Sequence, residues 1–226
     1  MKKYGFKKIA AGLSGCFRDK KIRRILLGSA LAAVFSIMAS QVLYAGQIQR
    51  QIAGKVIRFH VLANSDTAED QQLKLQVRDA VGEMMQEKLK NTDSMTECRQ
   101  IIQDNLDEIR RCAENVIREK GYAYEVEAGL EQSRFPRKAY GRAVLPAGEY
   151  EALEITIGSG EGHNWWCVMY PNLCFSGSMY RIDNDTNGEK LEQVLSPEEY
   201  KVVMESKDYK IRFRFLKFLD HLIERR

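Results

Sequence analysis

An α+β domain is predicted, a mostly antiparallel sheet packed against helices and preceded by one N-terminal transmembrane or signal-anchor helix. Three observations in the 226-residue sequence carry this. Residues 25–49 contain no charge; two stretches before residue 121 repeat their apolar residues at helical spacing; beyond residue 121 the pattern switches to strict alternation punctuated by Pro and Gly. Composition excludes disorder, a collagen-like repeat and a disulfide miniprotein, since 44% of residues are hydrophobic and only 4 are Pro.

The elements follow in order. Residues 1–24 form a basic segment with nine Lys/Arg against one Asp. The apolar run at 25–45 is long enough for a bilayer's hydrocarbon core and has no polar face, which separates it from a core helix. The basic block places the N-terminus in the cytoplasm and everything after residue 46 across the membrane. The long leader and the poor cleavage site at Leu43-Tyr44-Ala45 favour a retained anchor over a cleaved signal peptide. Residues 46–54 read as a linker and 55–175 as the exported α+β domain.

Within that domain, residues 55–62 alternate as a strand, which Asn64-Ser65-Asp66 ends with turn and N-cap residues. Asp66 and Glu69 have capping-box spacing, and Leu73, Val77, Ala80, Val81 and Met84 then mark one helical face. A second helix runs from Met95 through Val116 to a C-cap at Gly121. Residues 122–128, 140–144, 153–157 and 164–169 read as strands, with 146–148 a hairpin loop and 158–162 the next turn. Residues 176–195 read as a polar loop. Ser196-Pro197-Glu198-Glu199 opens a C-terminal helical segment, 196–226, whose end is amphipathic and suits a helix docked on the sheet.

The net charge of +4 hides a division. The first 24 residues and the last 20 are basic, so the domain between them is acidic and unsuited to a phosphate backbone; no nucleic acid partner is expected. The cysteines divide by compartment. Cys16 is cytoplasmic; Cys98 and Cys112, about 21 Å apart in one helix, are too distant to bridge. Cys167 and Cys174, seven apart in an exported domain, are expected to form a disulfide.

Catalytic patterns are scarce. Three His without ligand-spaced partners give no metal site, and no cofactor is expected. His163 and Cys167 in one strand lie about 13 Å apart, beyond hydrogen-bond reach, so a Cys–His dyad needs His60 or His221 and a free Cys167. Asp183-Asn-Asp185-Thr-Asn187-Gly188 matches the first half of a calcium loop, but Val194 stands where the loop needs Glu, and a solvated turn is the reading. Trp165 and Trp166 are adjacent, so in a strand one faces the core and the other faces out, where a Trp makes a good partner anchor.

The stretches IRFHVLANSD (57–66), EDQQLKLQVRDAV (69–81) and YGRAVLPAGEYEALEITIGSGEGHNWWCVMYPNLCF (140–175) resemble the stage II sporulation protein R family of spore-forming Firmicutes. The resemblance implies a signalling protein with no active site of its own. On that implication it would be made in the forespore and exported into the space between forespore and mother-cell membranes, there to trigger a membrane-embedded aspartic protease that processes the precursor of sigma-E. The family-like residues are Asn64, Ser65, Asp66, Arg78, Asp79, Gly148, Glu149, Tyr150, Asn164, Trp165, Trp166, Cys167, Pro171 and Cys174. Of these, Asn64, Asp66, Trp165 and Trp166 are the expected partner-binding set. The alternative is an envelope hydrolase using a Cys/His or carboxylate site.

Overall fold

The computed structural model describes residues 20–173 and 184–205. The chain divides into two compact units, residues 1–48 and 49–226. The first is described by one helix, α1, Lys20–Ala53, whose last turn belongs to the second unit. It is long and apolar enough to cross a membrane, and none of its most apolar window is buried in the protein. Phe35 and Val42, for example, are 74% and 72% exposed, an arrangement that suits lipid and not a soluble core. The expected linker at 46–54 is helical as far as Ala53, because Ile52 is wholly buried in the folded unit and the Gln49 side-chain amide donates to the Glu149 carbonyl.

The second unit is α+β. It contains β1 (Ile57–Leu62), α2 (Ala68–Lys88), α3 (Met95–Asp104), α4 (Leu106–Glu119), β2 (Val126–Phe135), β3 (Lys138–Tyr140), β4 (Ala143–Leu145), β5 (Gly148–Ile157), β6 (Asn164–Tyr170), α5 (Asn184–Val194) and α6 (Pro197–Glu205). Four strands form the main sheet in the order β2-β5-β1-β6, and β3 and β4 form a separate hairpin. Three of the four ladders are antiparallel; β1 and β5 run parallel.

The parallel pair corrects the expectation that consecutive strands on short loops are neighbours. β1 is buried on both faces, which places it inside the sheet between β5 and β6. Residues 146–148 therefore join the hairpin to the main sheet, and 158–162 cross over the end of β1. Ile57, Phe59 and Val61 face the helices with Leu153, Ile155, Leu73, Val77, Ile109, Ala113 and Ile117, all buried. Arg58 and His60 point to the other face, where Tyr140 of the hairpin accepts from Arg58 and α6 packs on β4.

Four further boundaries differ from the sequence reading, each for a local reason. The second helix breaks at Asn105, whose side chain donates to the Ile101 carbonyl at 2.7 Å and whose backbone serves as C-cap and N-cap at once. Residues 122–125 are not strand: Tyr122 N donates to Ile117 O and Gly121 N to Arg118 O, which closes α4 with the glycine at φ +83°. The alternating run at 140–144 folds back at Gly141 to make β3 and β4. The supposed polar loop and half calcium loop contain α5, so residues 184–188 are helical; Asp183 lies outside the described residues. The C-terminal segment beyond Glu205 also lies outside them.

Cys98 and Cys112 are free thiols. Burial pushes the Cys98 thiol up to about 12, which removes it as a nucleophile. Cys167 is disulfide-bonded; its expected partner, Cys174, lies outside the described residues.

Candidate functional site

Two loops meet beyond the end of β1 and lock each other. The Asn64 carbonyl accepts from Ser159 Oγ at 2.7 Å and from the Glu161 amide at 3.3 Å, and Asn64 Oδ1 accepts from the Ser159 amide at 3.0 Å. The Asn64 amide nitrogen then donates to Asp70 Oδ2 at 2.9 Å, where Ser65 Oγ also donates at 2.6 Å. Burial alone would raise the Asp70 carboxyl, but hydrogen bonds from Ser65, Asn64, Tyr124 and Thr67 outweigh it and hold the group below its ordinary range. Asp70 thus stays ionised and organises the loop around itself.

The helix N-cap is Thr67, not Asp66: its hydroxyl accepts from the Asp70 amide at 3.2 Å. Asp66 is left to bridge the loops. Its Oδ1 accepts from the His163 amide at 2.5 Å and pairs with His163 Nδ1, and these contacts lower its pKa. Lys74, almost fully buried, reaches up from α2 to the His163 carbonyl at 2.8 Å, and Gln71 donates to the Ser65 carbonyl at 3.0 Å. Two glycines make the fit possible. At Gly158, with φ +58°, a side chain would meet that of Asn64; at Gly162 a Cβ would overlap the Ser65 carbonyl and stand 2.9 Å from Ala63 Cβ.

The outcome is a rigid, exposed apex. Asp66, Glu69, Glu125 and Glu161 lie exposed on it, and the half-exposed rings of Tyr122 and Tyr124 stack at 5.5 Å beside Asp70. The tyrosines were not visible as site residues in the sequence, where their alternation reads as strand. Asn64 and Asp66 do sit together here. Trp165 and Trp166, the second and third residues after His163, occupy opposite faces of β6 below the apex. Neither is wholly in or out, which corrects the one-in, one-out expectation. Trp165 packs edge-on to Phe59 with the Arg78 guanidinium over its ring at 5.0 Å, and Arg78 is paired with Asp79. Trp166 stacks on His60 at 3.9 Å and meets Phe135 edge-on. Gly148, Glu149 and Tyr150 lie at the opposite end of the sheet, where Tyr150 is buried.

The Cys–His reading needs a free Cys167 with His60 or His221; Cys167 is in a disulfide, and His221 lies outside the described residues. Among the described residues, no group of three or more His, Cys, Asp or Glu is placed to hold a metal ion. His60, nearly buried, is hydrogen-bonded through Nδ1 to Glu154 at 3.2 Å, and Ser133 donates to the same carboxylate at 2.5 Å. Burial lowers the His60 pKa; Arg58 adds to this, and Glu154 and Asn164 only partly oppose it. The imidazole is therefore neutral in the fold. As pH falls below the ordinary value of 6.5, the unfolded chain takes a proton that the fold resists. Stability present above that pH is lost as pH falls toward the lower folded value. Thermal melts from about pH 7.5 to 5.5 are expected to show a falling midpoint, and His60→Gln is expected to flatten that window. An equally steep fall in the variant would contradict the assignment.

A small α+β domain, whose most constrained exposed feature is an apex of interlocked loops with flanking aromatic residues, is the class this geometry defines. The sequence profile of the family described as Stage II sporulation protein R matches residues 53–180, and the chain belongs to that family. It is 44% identical over 124 residues to the stage II sporulation protein R of Bacillus subtilis (strain 168), the aligned part covering 55% of this chain and 55% of that protein. The match thus spans about half the length of the curated relative. No solved structure matches the chain. The matched stretch contains the whole apex and the six strands of the described residues, and ends before α5.

Proposed function

We propose that the protein is an exported signalling ligand of sporulation, which activates a membrane-embedded aspartic protease of the mother cell to process the precursor of sigma-E. Family membership supports the sporulation role. The observation that carries the ligand reading is the apex: two separated family-like stretches, Asn64-Ser65-Asp66 and the segment leading into Asn164-Trp165-Trp166, are joined into one fixed, exposed surface. A preformed surface loses little conformational freedom on binding, which favours recognition. On this reading the protein does no chemistry itself. The N-terminal helix carries residues after 46 across the forespore membrane, as anchor or as signal.

Co-expression in a non-sporulating cell tests the proposal. The chain, the aspartic protease and the sigma-E precursor are produced together, with and without residues 1–45, and the precursor is followed by immunoblot. Cleavage that requires residues 1–45 is expected. Cleavage of equal extent without them, or none with all three proteins stably present, would count against an exported ligand.

A further inference from the structure

β2 is an edge strand of the main sheet, and among the described residues no strand lies on its outer side. The Gly158 amide donates to the Glu125 carbonyl at 2.9 Å, and Glu125 stands opposite Gly158 in the register that pairs Val126 with Ile157. Bonding positions alternate along an antiparallel ladder. Glu127, Gly129, Glu131, Ser133 and Phe135 therefore bond to β5, and Val126, Ala128, Leu130, Gln132 and Arg134 turn their backbone amides and carbonyls outward. Glu127, Gly129 and Glu131 share the face of His60, since their register partners are Thr156, Glu154 and Ala152 and Glu154 bonds to His60. Both glutamates are exposed, and among the described residues neither is in an ion pair. The cations nearest in sequence stand elsewhere: Arg134 shares the opposite face with Glu149, and Arg137, Lys138 and Arg142 belong to the turn and hairpin that follow β2.

We propose that β2 receives an extended segment of a partner protein as a further antiparallel strand, with basic residues opposite Glu127 and Glu131 and a large side chain over Gly129. Backbone pairing supplies affinity in such a contact, and alternate side chains supply selectivity. Antiparallel pairing is the more stable per residue, and a large residue opposite an edge glycine fills the gap it leaves. The glutamates select a cationic occupant, because opposite charges across a strand pair stabilise it and like charges oppose it. The same rule weighs against a second copy. Pairing β2 with itself about Leu130 sets the two Glu131 carboxylates diagonally, and a two-residue shift either way sets Glu131 against Glu131 or Glu127 against Glu131. β2 begins beside the stacked tyrosines, so the added strand continues from the apex. The proposal rests on the ligand reading and deepens it by giving the chemistry of the partner.

The test uses the full chain in nonionic detergent micelles and a fluorescent probe peptide, Thr-Lys-Val-Tyr-Val-Lys-Thr, read by anisotropy. Saturable binding is expected, with the peptide carrying Glu for both Lys weaker by about tenfold or more. N-methylation of both valines, whose amides face β2 in this register, is expected to abolish binding, and N-methylation of the tyrosine to leave it. Glu127→Gln with Glu131→Gln is expected to weaken binding by about tenfold, from up to roughly fivefold per cross-strand pair, with the thermal midpoint unchanged. Absence of binding at millimolar peptide overturns the proposal, as do equal binding of the acidic and basic peptides, equal loss on methylating valine or tyrosine, and undiminished binding in the double variant. A chain of doubled mass whose Ala128 and Leu130 amides resist hydrogen exchange without peptide would assign the edge to a second copy and also overturn it. Neither protease nor precursor is present, so failed peptide binding leaves the activation reading standing, and failed precursor cleavage in cells leaves the strand contact standing.

Discussion

Arg58→Ala is expected to destabilise the folded unit by about 3–5 kcal/mol. Arg58 is wholly buried in the centre of the sheet. Its guanidinium lies over the rings of Phe135, Tyr150 and Tyr140 at 4.2, 4.9 and 5.4 Å. Nε donates to the Cys167 carbonyl at 2.9 Å and Nη2 to the Tyr140 hydroxyl at 2.5 Å. Burial pulls the guanidinium below its ordinary pKa, with Tyr140 and Tyr150 opposing. One nitrogen, Nη1, has no hydrogen-bond partner, so the arrangement carries a real desolvation cost. Removal nevertheless loses more than it relieves. It opens a cavity beneath the hairpin, strips three aromatic rings of their cation and takes a donor from the Tyr140 hydroxyl and the Cys167 carbonyl. Arg58→Met keeps most of the volume and should lose about half as much. Urea denaturation checks both, and an alanine variant within about 1 kcal/mol of the parent would sink this account of the hairpin's attachment.

Gly162→Ala is expected to cut precursor cleavage by tenfold or more while costing only about 1–3 kcal/mol of stability, the usual range for overpacking. A Cβ at 162 would stand 2.6 Å from the Ser65 carbonyl carbon, which is backbone and has no rotamer to escape into. The loops must separate, and with them the hydrogen bonds from Ser159 to Asn64 and from His163 to Asp66. Stability is governed by the core below, and on the proposed function signalling depends on the apex, so the two readouts should part. Cleavage at the parent level, with the variant secreted and folded, would mean that the apex is not the recognised surface.

The sequence made some of this visible and hid the rest for identifiable reasons. Helical periodicity located α2 correctly because its apolar face packs on one side only. The second helix reads as continuous in the sequence because Asn105 interrupts the backbone without interrupting the apolar spacing. Sheet order was not legible: β5 and β6 are joined by a short turn, and only the burial of both faces of β1 explains why that turn crosses a strand. Arg58 and His60 read as the polar half of an alternating strand, since nothing local shows that aromatic residues about 80 positions away enclose them. Asn64 and Asp66 were found through the family resemblance. Their partners Ser159 and His163 lie about 95 positions away in sequence, and the organiser Asp70 and the tyrosine stack gain their roles only from that long-range pairing of loops.

The most direct measurement of the central claim is site-specific photocross-linking from position 161 on the apex, in cells that carry the aspartic protease and process the precursor. The account predicts an adduct between this chain and the protease from position 161, and none from position 87 on the exposed last turn of α2. An adduct from position 87 with none from 161, while the precursor is still cleaved, would contradict it.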